Sequence, residues 1–209
     1  MLRLGSNDCS QTLPRGGLIL QHFIVAGRNI YDSVSGSPFA RLARMEKLIR
    51  GKAFKFGDNI NSDIIIPGRY LIYIEADKLA QHAFEVLGNG FPDKLRHFEI
   101  FVAGRNFGCG SAREQAVTAI QGLGVKAVVA RSFSRTFYRN AINSGLPIME
   151  CPALHDAVQE GDEIEIDIAS GQIRHREAIY TFPGFPDSML QLLELGGLAE
   201  YLKVQQKKD

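Results

Sequence analysis

The fourteen residues Val102-Ala103-Gly104-Arg105-Asn106-Phe107-Gly108-Cys109-Gly110-Ser111-Ala112-Arg113-Glu114-Gln115 constrain the fold more than any other stretch. They run from an apolar strand, through a turn with three glycines, into a helical pattern. That order is the junction of an α/β sheet, in which a helix starts beside a strand end. Glycine accepts positive φ and lets a ligand approach the backbone. The helix start offers unpaired N–H groups and the positive end of the helix dipole. Together these read as an anion site. Three nucleotide patterns fail here. The dinucleotide pattern needs a glycine where Arg113 stands, the Walker pattern needs Gly-Lys-Ser/Thr, and the remaining kinase signatures are absent. A small carboxylate suits one helix end and one arginine better.

Within this stretch Ser111 has two compatible readings. Ser111-Ala112-Arg113-Glu114 has the form of a capping box, with Ser111 at the N-cap and Glu114 at N3. The same position would stabilise an alkoxide, so Ser111 is also a candidate catalytic group. Arg113 can clamp a carboxylate through two parallel bonds. Cys109 reads as a small packing residue, although a helix start lowers a thiol's pKa. Upstream, Phe56-Gly57-Asp58-Asn59-Ile60-Asn61-Ser62-Asp63 is a loop rich in turn-forming residues. Asp63 closes it just before an apolar run, where a buried carboxylate would orient a base.

The remaining pattern supports one α/β domain with a mixed sheet over residues 45–209. Strands are expected at 48–54, 98–103, 125–130 and 147–150, and helices at 77–87, 111–123, 134–143 and 188–195. A hairpin is expected at 163–180, turning at Ser170-Gly171. Residues 1–44 differ. They lack any sustained period and hold five arginines, two acids and no lysine, a net charge of +3 that leaves −2 on the other 165 residues. They read as a disordered N-terminal extension. Its origin is open between sequence upstream of a true start at Met45, a targeting peptide and a real appendage.

With 45% hydrophobic residues and a net charge of +1, the chain can build a core and carries no basic excess for nucleic acid. No apolar run approaches the ~18 residues that span a membrane. Its three cysteines, Cys9, Cys109 and Cys151, form no C-x-x-C pair. They fit a reducing cytoplasm, and are unsuited to a zinc site or a self-contained iron–sulfur cluster.

Three separated segments resemble one known family. They are Gly57–Asp63 with Ile66-Pro67, Asn106–Ala116, and Arg131–Ala141 with Asn143–Pro147. In this order they resemble the small subunits of 3-isopropylmalate dehydratases, in the aconitase superfamily. The resemblance spans about residues 45–203 and does not reach 1–44. It implies a single swivelling β/β/α domain. It implies a separate large subunit that holds a [4Fe-4S] cluster, none in this chain, in a heterodimer or heterotetramer acting on a small dicarboxylate. It implies that Ser111 is the catalytic base, Asp63 the active-site aspartate and Arg113 a substrate-carboxylate ligand, with Gly110 and Ala112 contributing backbone to the same site. The family often has a second serine where Ala112 stands, so only the backbone N–H remains at that position.

The implied reaction isomerises a 2-hydroxy diacid to its 3-hydroxy isomer by removing and re-adding water, with the cluster supplying a Lewis acid. Substrate choice is linked by the resemblance to Tyr70, Ile72 and Tyr73. Homoaconitase-like relatives carry an arginine where Ile72 stands, and an apolar loop suits an isopropyl group instead. The plainer reading makes these three core residues. Alternatives remain: a homoaconitase or dimethylmalate dehydratase subunit, or a stand-alone carboxylate-binding module.

Overall fold

Strand β1 (Leu48–Lys55) splits its length between two neighbours. Residues 53–55 pair in parallel with β2 (Ile100–Ala103), while residues 48–52 pair antiparallel with β5 (Glu163–Asp167). With β3 (Ala127–Ala130), β4 (Ile148–Glu150), β6 (Gln172–His175) and β7 (Ala178–Thr181), the order is β4-β3-β2-β1-β5-β6-β7. The first four strands are parallel and the last three antiparallel, so the sheet is mixed, as expected. The computed structural model describes residues 48–207, and the expectations for residues 1–44 lie outside them.

The parallel strands are connected by helices. These are α1 (Ser62–Ile65), α2 (Ala76–Ala80), α3 (Phe91–Leu95), α4 (Glu114–Gly122), α5 (Arg135–Asn143) and α6 (Pro152–Ala157), followed after β7 by α7 (Asp187–Glu194) and α8 (Leu198–Gln206). Alternate residues of β2 face opposite cores. Phe101 and Ala103 pack with Phe54, Phe56, Phe84 and the faces of α2, α4 and α5, whereas Ile100 and Val102 pack with Ile49, Met149, Leu154 and Ile166. Burial on both faces is why β2 and β3 read as unbroken apolar runs.

Three expectations are corrected. The helix expected over 77–87 stops at Ala80, and Phe84 turns left-handed at φ 58° before a 3-10 turn, Glu85–Leu87. The core takes Leu79, Ala80, Ala83 and Phe84 but leaves Val86 and Leu87 exposed, so the apolar run does not serve one helix face. The hairpin over 163–180 is a three-stranded meander, because Arg176 adopts φ 54° and reverses the chain between β6 and β7. The helix expected from Ser111 begins at Glu114.

Candidate active site

The C-terminal ends of β1, β2 and β3 lie side by side, and their loops stay paired beyond the strands. Asn59 N donates to the Arg105 carbonyl at 2.8 Å, Gly108 N to Ile60 at 2.8 Å and Ser62 N to Cys109 at 2.8 Å. On the other side, Phe107 N donates to Ser132 and Ser134 N to Phe107, both at 3.0 Å. Side chains lock this layer: the Arg105 N–H donates to Asp58 Oδ1 at 2.7 Å and Ser134 Oγ to the Gly108 carbonyl at 2.6 Å. The turn-forming residues are the splints of a second tier above the sheet. They hold the glycine turn in place.

Gly108 makes that tier possible. It sits at φ 72°, and a Cβ there would stand 2.2 Å from the Phe137 ring. Gly110, at φ 92°, passes over Ser62, whose Oγ would be 3.1 Å from a Cβ. Ser62 is 1% exposed and its hydroxyl has no partner among the described residues. Sequence reasoning missed Ser62. The available signal was Asn61, whose side chain accepts from Ile64 N at 2.8 Å and caps α1, thereby turning Ser62 inward.

Ser111 is exposed, and its hydroxyl makes no hydrogen bond among the described residues. The capping-box expectation fails. Arg113 is the N-cap of α4, extended at φ −116° and ψ 118°, and no side chain caps the helix. The reason is the arginine's own anchorage. Arg113 Nη1 donates to Asp63 Oδ1 at 2.6 Å and to the Ile66 carbonyl at 3.2 Å. These bonds hold residue 113 out of the helix. Ser111 therefore stands two residues before the N-cap, on the rim of the turn.

Asp63 is corrected as well. It is the second residue of α1, and its side chain is 62% exposed rather than buried. Among the described residues its partner is Arg113. The structure thus joins Asp63, Arg113, Gly110 and Ser62 in one place, with Ser111 and Ala112 on the exposed segment between Gly110 and Arg113. Both arginine bonds use Nη1, so no other donor of the guanidinium fork is engaged among the described residues.

The loop with Tyr70, Ile72 and Tyr73 leaves from beside this arginine: Arg113 Nη2 would be 3.8 Å from a Cβ on Gly68. Tyr70 and Tyr73 pack partly against the core, but Ile72 is 79% exposed. The core-residue reading therefore fails for Ile72.

Among the described residues, no group of three His, Cys, Asp or Glu side chains could hold a metal ion. Cys109 lies in the glycine turn. Cys151 is buried and its thiol is pushed up by that burial. These two cysteines do not fit an iron–sulfur cluster.

The model of the aconitase C-terminal domain family matches residues 58–153. The chain is 47% identical over 164 residues to the 3-isopropylmalate dehydratase small subunit of Caldicellulosiruptor saccharolyticus, covering 78% of this chain and 95% of that one. It is 51% identical over 162 residues to the methanogen homoaconitase small subunit of Methanothermobacter thermautotrophicus, covering 76% and 94%. Among solved structures, 3-isopropylmalate dehydratase from Methanocaldococcus jannaschii superposes with a TM-score of 0.71 at 42% identity, over 78% of this chain and 99% of that one.

Proposed function

Because this chain belongs to the small-subunit family of 3-isopropylmalate dehydratases, we propose that it forms one half of a two-subunit hydro-lyase that interconverts 2- and 3-isopropylmalate in leucine biosynthesis. The observation that carries the reading is the Arg113 fork, held by Asp63 beside the Gly110–Ala112 turn with an unpaired Ser111 hydroxyl on its rim. The proposed partner is a large subunit that holds the [4Fe-4S] cluster and supplies its Lewis-acid chemistry. A cytoplasmic location is proposed because Cys109 and Cys151 are free thiols, which suits a reducing compartment. Among the described residues, no helix is long and apolar enough to cross a membrane.

In this reading Arg113 binds one substrate carboxylate through its unengaged donors, because the planar fork matches a carboxylate in two parallel bonds. Asp63 fixes the fork against rotation, a positioning role in place of the base-orienting one. Ser111, as its alkoxide, takes the proton α to that carboxylate and is left as the neutral hydroxyl, while the electron pair freed at carbon expels the β-hydroxyl. The exposed backbone of Gly110 and Ala112 faces the charge that develops. Closure of the large subunit over the rim would exclude water and complete the site. Ile72, exposed where the loop leaves Arg113, is placed against the isopropyl group.

A homoaconitase-type tricarboxylate is the second reading, favoured by the 51% identity to the methanogen homoaconitase small subunit. The apolar side chain at Ile72 opposes it, since a buried unpaired carboxylate beside isoleucine is costly. The deciding experiment assembles the chain with its large subunit and compares kcat/KM for 3-isopropylmalate and a homocitrate-type tricarboxylate. Preference for isopropylmalate, with no turnover by this chain alone, is the expected result. Turnover without a partner, or preference for the tricarboxylate, overturns the corresponding part. Binding of a dicarboxylate without turnover in any assembly would favour a stand-alone binding module.

A further inference from the structure

We propose that Glu85 is a positioning residue for substrate selection, holding the Gly68–Ile74 loop so that Ile72 presents its side chain at a fixed distance from Arg113. The inference rests on the reading that this loop meets the substrate's alkyl group.

Ile72 and Ile74 are 79% and 81% exposed, so the loop's tip has little packing of its own. Its backbone bonds are local, Leu71 N to the Gly68 carbonyl at 3.3 Å and Tyr73 N to the Tyr70 carbonyl at 3.0 Å. A loop held only in this way would sample many poses, and an exposed isoleucine on it would discriminate poorly. Tyr70, Leu71 and Tyr73 also pack partly against the core, and the loop's longer-range hydrogen-bond anchor is Glu85. Oε2 accepts from the Tyr70 hydroxyl at 3.1 Å and meets His82 Nδ1 at 3.1 Å, while Oε1 pairs with Arg69. The His82 ring lies flat on Tyr70, with centroids 3.7 Å apart and planes 6° from parallel, and Tyr73 sits beside the pair, nearly parallel, 6.3 Å from His82 and 6.4 Å from Tyr70. One carboxylate thus ties two of the three rings, Tyr70 and His82, while Tyr70 and Tyr73 stand on either side of Ile72 in the chain. Burial pushes the Glu85 carboxyl up, but its bonds to His82, Tyr70 and Arg69 outweigh this and hold it below the usual range.

Glu85 is aimed at the loop by the residue before it. Phe84 takes the left-handed conformation at φ 58°, uncommon for a bulky side chain, and is fully buried against Phe56 and Phe101. Its N–H donates to the Ile65 carbonyl at 2.9 Å. The core therefore fixes Phe84, and Phe84 turns Glu85 out of the helical path toward the loop. Ile65 belongs to α1, which also carries Asp63, the residue that holds Arg113. A continuous chain of contacts links the substrate-carboxylate arginine to the loop that carries Ile72.

The test uses the assembled two-subunit enzyme with Glu85→Ala, the isosteric Glu85→Gln and, in parallel, Ile72→Arg. KM and kcat are measured for isopropylmalate and for a homocitrate-type tricarboxylate. Glu85→Ala is expected to raise KM for isopropylmalate roughly five- to tenfold with kcat within about twofold, and to erode the preference between substrates. Glu85→Gln, whose single amide oxygen can replace only one of the two carboxylate oxygens that Tyr70 and Arg69 use, is expected to fall between. A merely structural Glu85 would lower melting temperature and kcat alike for both substrates and leave KM and the preference unchanged, and that result overturns the proposal. If Ile72→Arg shifts the preference but neither Glu85 variant moves KM, the loop reading survives and the role of Glu85 does not. If Ile72→Arg leaves the preference within about twofold, the loop reading falls and takes this inference with it.

Discussion

The two halves of the sheet share β1 and follow different rules. In the parallel half every residue of β2 and β3 is buried, because helices cover both faces. In the antiparallel half burial alternates along β5 and β6, one face packed and the other in water. Polar groups follow the same division. The register aligns Arg50, Glu165 and Arg174 in one row across β1, β5 and β6, and Glu165 bonds both arginines. Asp162 likewise accepts from Gln159 N, meets His175 Nε2 and pairs with Arg176. At the parallel end, Ser111, Ser62 and most of the Arg113 fork are left without partners among the described residues. The cause is topological. A parallel strand must return through a helix, so each strand end opens into a loop and a helix start, and three such ends lie together. The antiparallel turns bond polar groups of their own, as where Asp167 Oδ1 accepts from Ala169 N and Ser170 N. Unpaired polar groups gathered at the end of the parallel half mark the candidate site.

Four experiments press on this contrast, and the largest effect is expected at Ser111. Ser111→Gly should cut kcat of the assembled enzyme roughly 10²- to 10⁴-fold, as removal of a general base does. Because Arg113, not Ser111, occupies the N-cap, stability should change by no more than about 0.5 kcal/mol, the usual range for an exposed position. A stable Gly variant with near-normal kcat would remove the base role. Next comes Gly108→Ala. It forces a Cβ into the Phe137 ring at positive φ and should cost about 2–4 kcal/mol in denaturant unfolding. Gly161→Ala, at φ 91° in open space at the antiparallel end, should cost about 1 kcal/mol. Equal losses would show that the second tier of loops is not rigid.

The third test is acid unfolding. Backbone donation from Gln159, helped by His175 and Arg176, holds the Asp162 carboxyl down at about 2 from the ordinary 3.8. A depressed carboxyl stabilises the fold above its unfolded pKa and loses that contribution as pH falls through the folded value. Stability should therefore decline between about pH 4 and pH 2, and Asp162→Asn should flatten that part of the curve while lowering stability at pH 7. An unchanged slope would show that the antiparallel half is not held by this cluster. The smallest effect is expected from starting the chain at Met45. Residues 1–44 carry no periodic pattern, so melting temperature and pairing with the large subunit should stay as they are. A large drop in either would make the segment structural.

Local pattern was enough to read the mixed α/β fold and the strand–glycine turn–helix junction, whereas the grouping of Asp63 with Ser111 and Arg113 came from the resemblance to a family. The first two rest on short-range physics: apolar runs buried on both faces and glycines where φ is positive. Other features depended on distant neighbours. Ser111 lost the N-cap because Asp63, fifty residues upstream, anchors Arg113 in an extended conformation. Asp63 turned to solvent because Asn61 caps a helix too short to show a period. The run at 77–87 broke because the core claimed Phe84 at the expense of helical geometry. The second hairpin arose where Asp162 meets Arg176 and His175, which close a turn that strand propensity alone would have extended. In each case a contact across the fold outweighed a local preference of about 1 kcal/mol, and only the tertiary structure shows which contact did so.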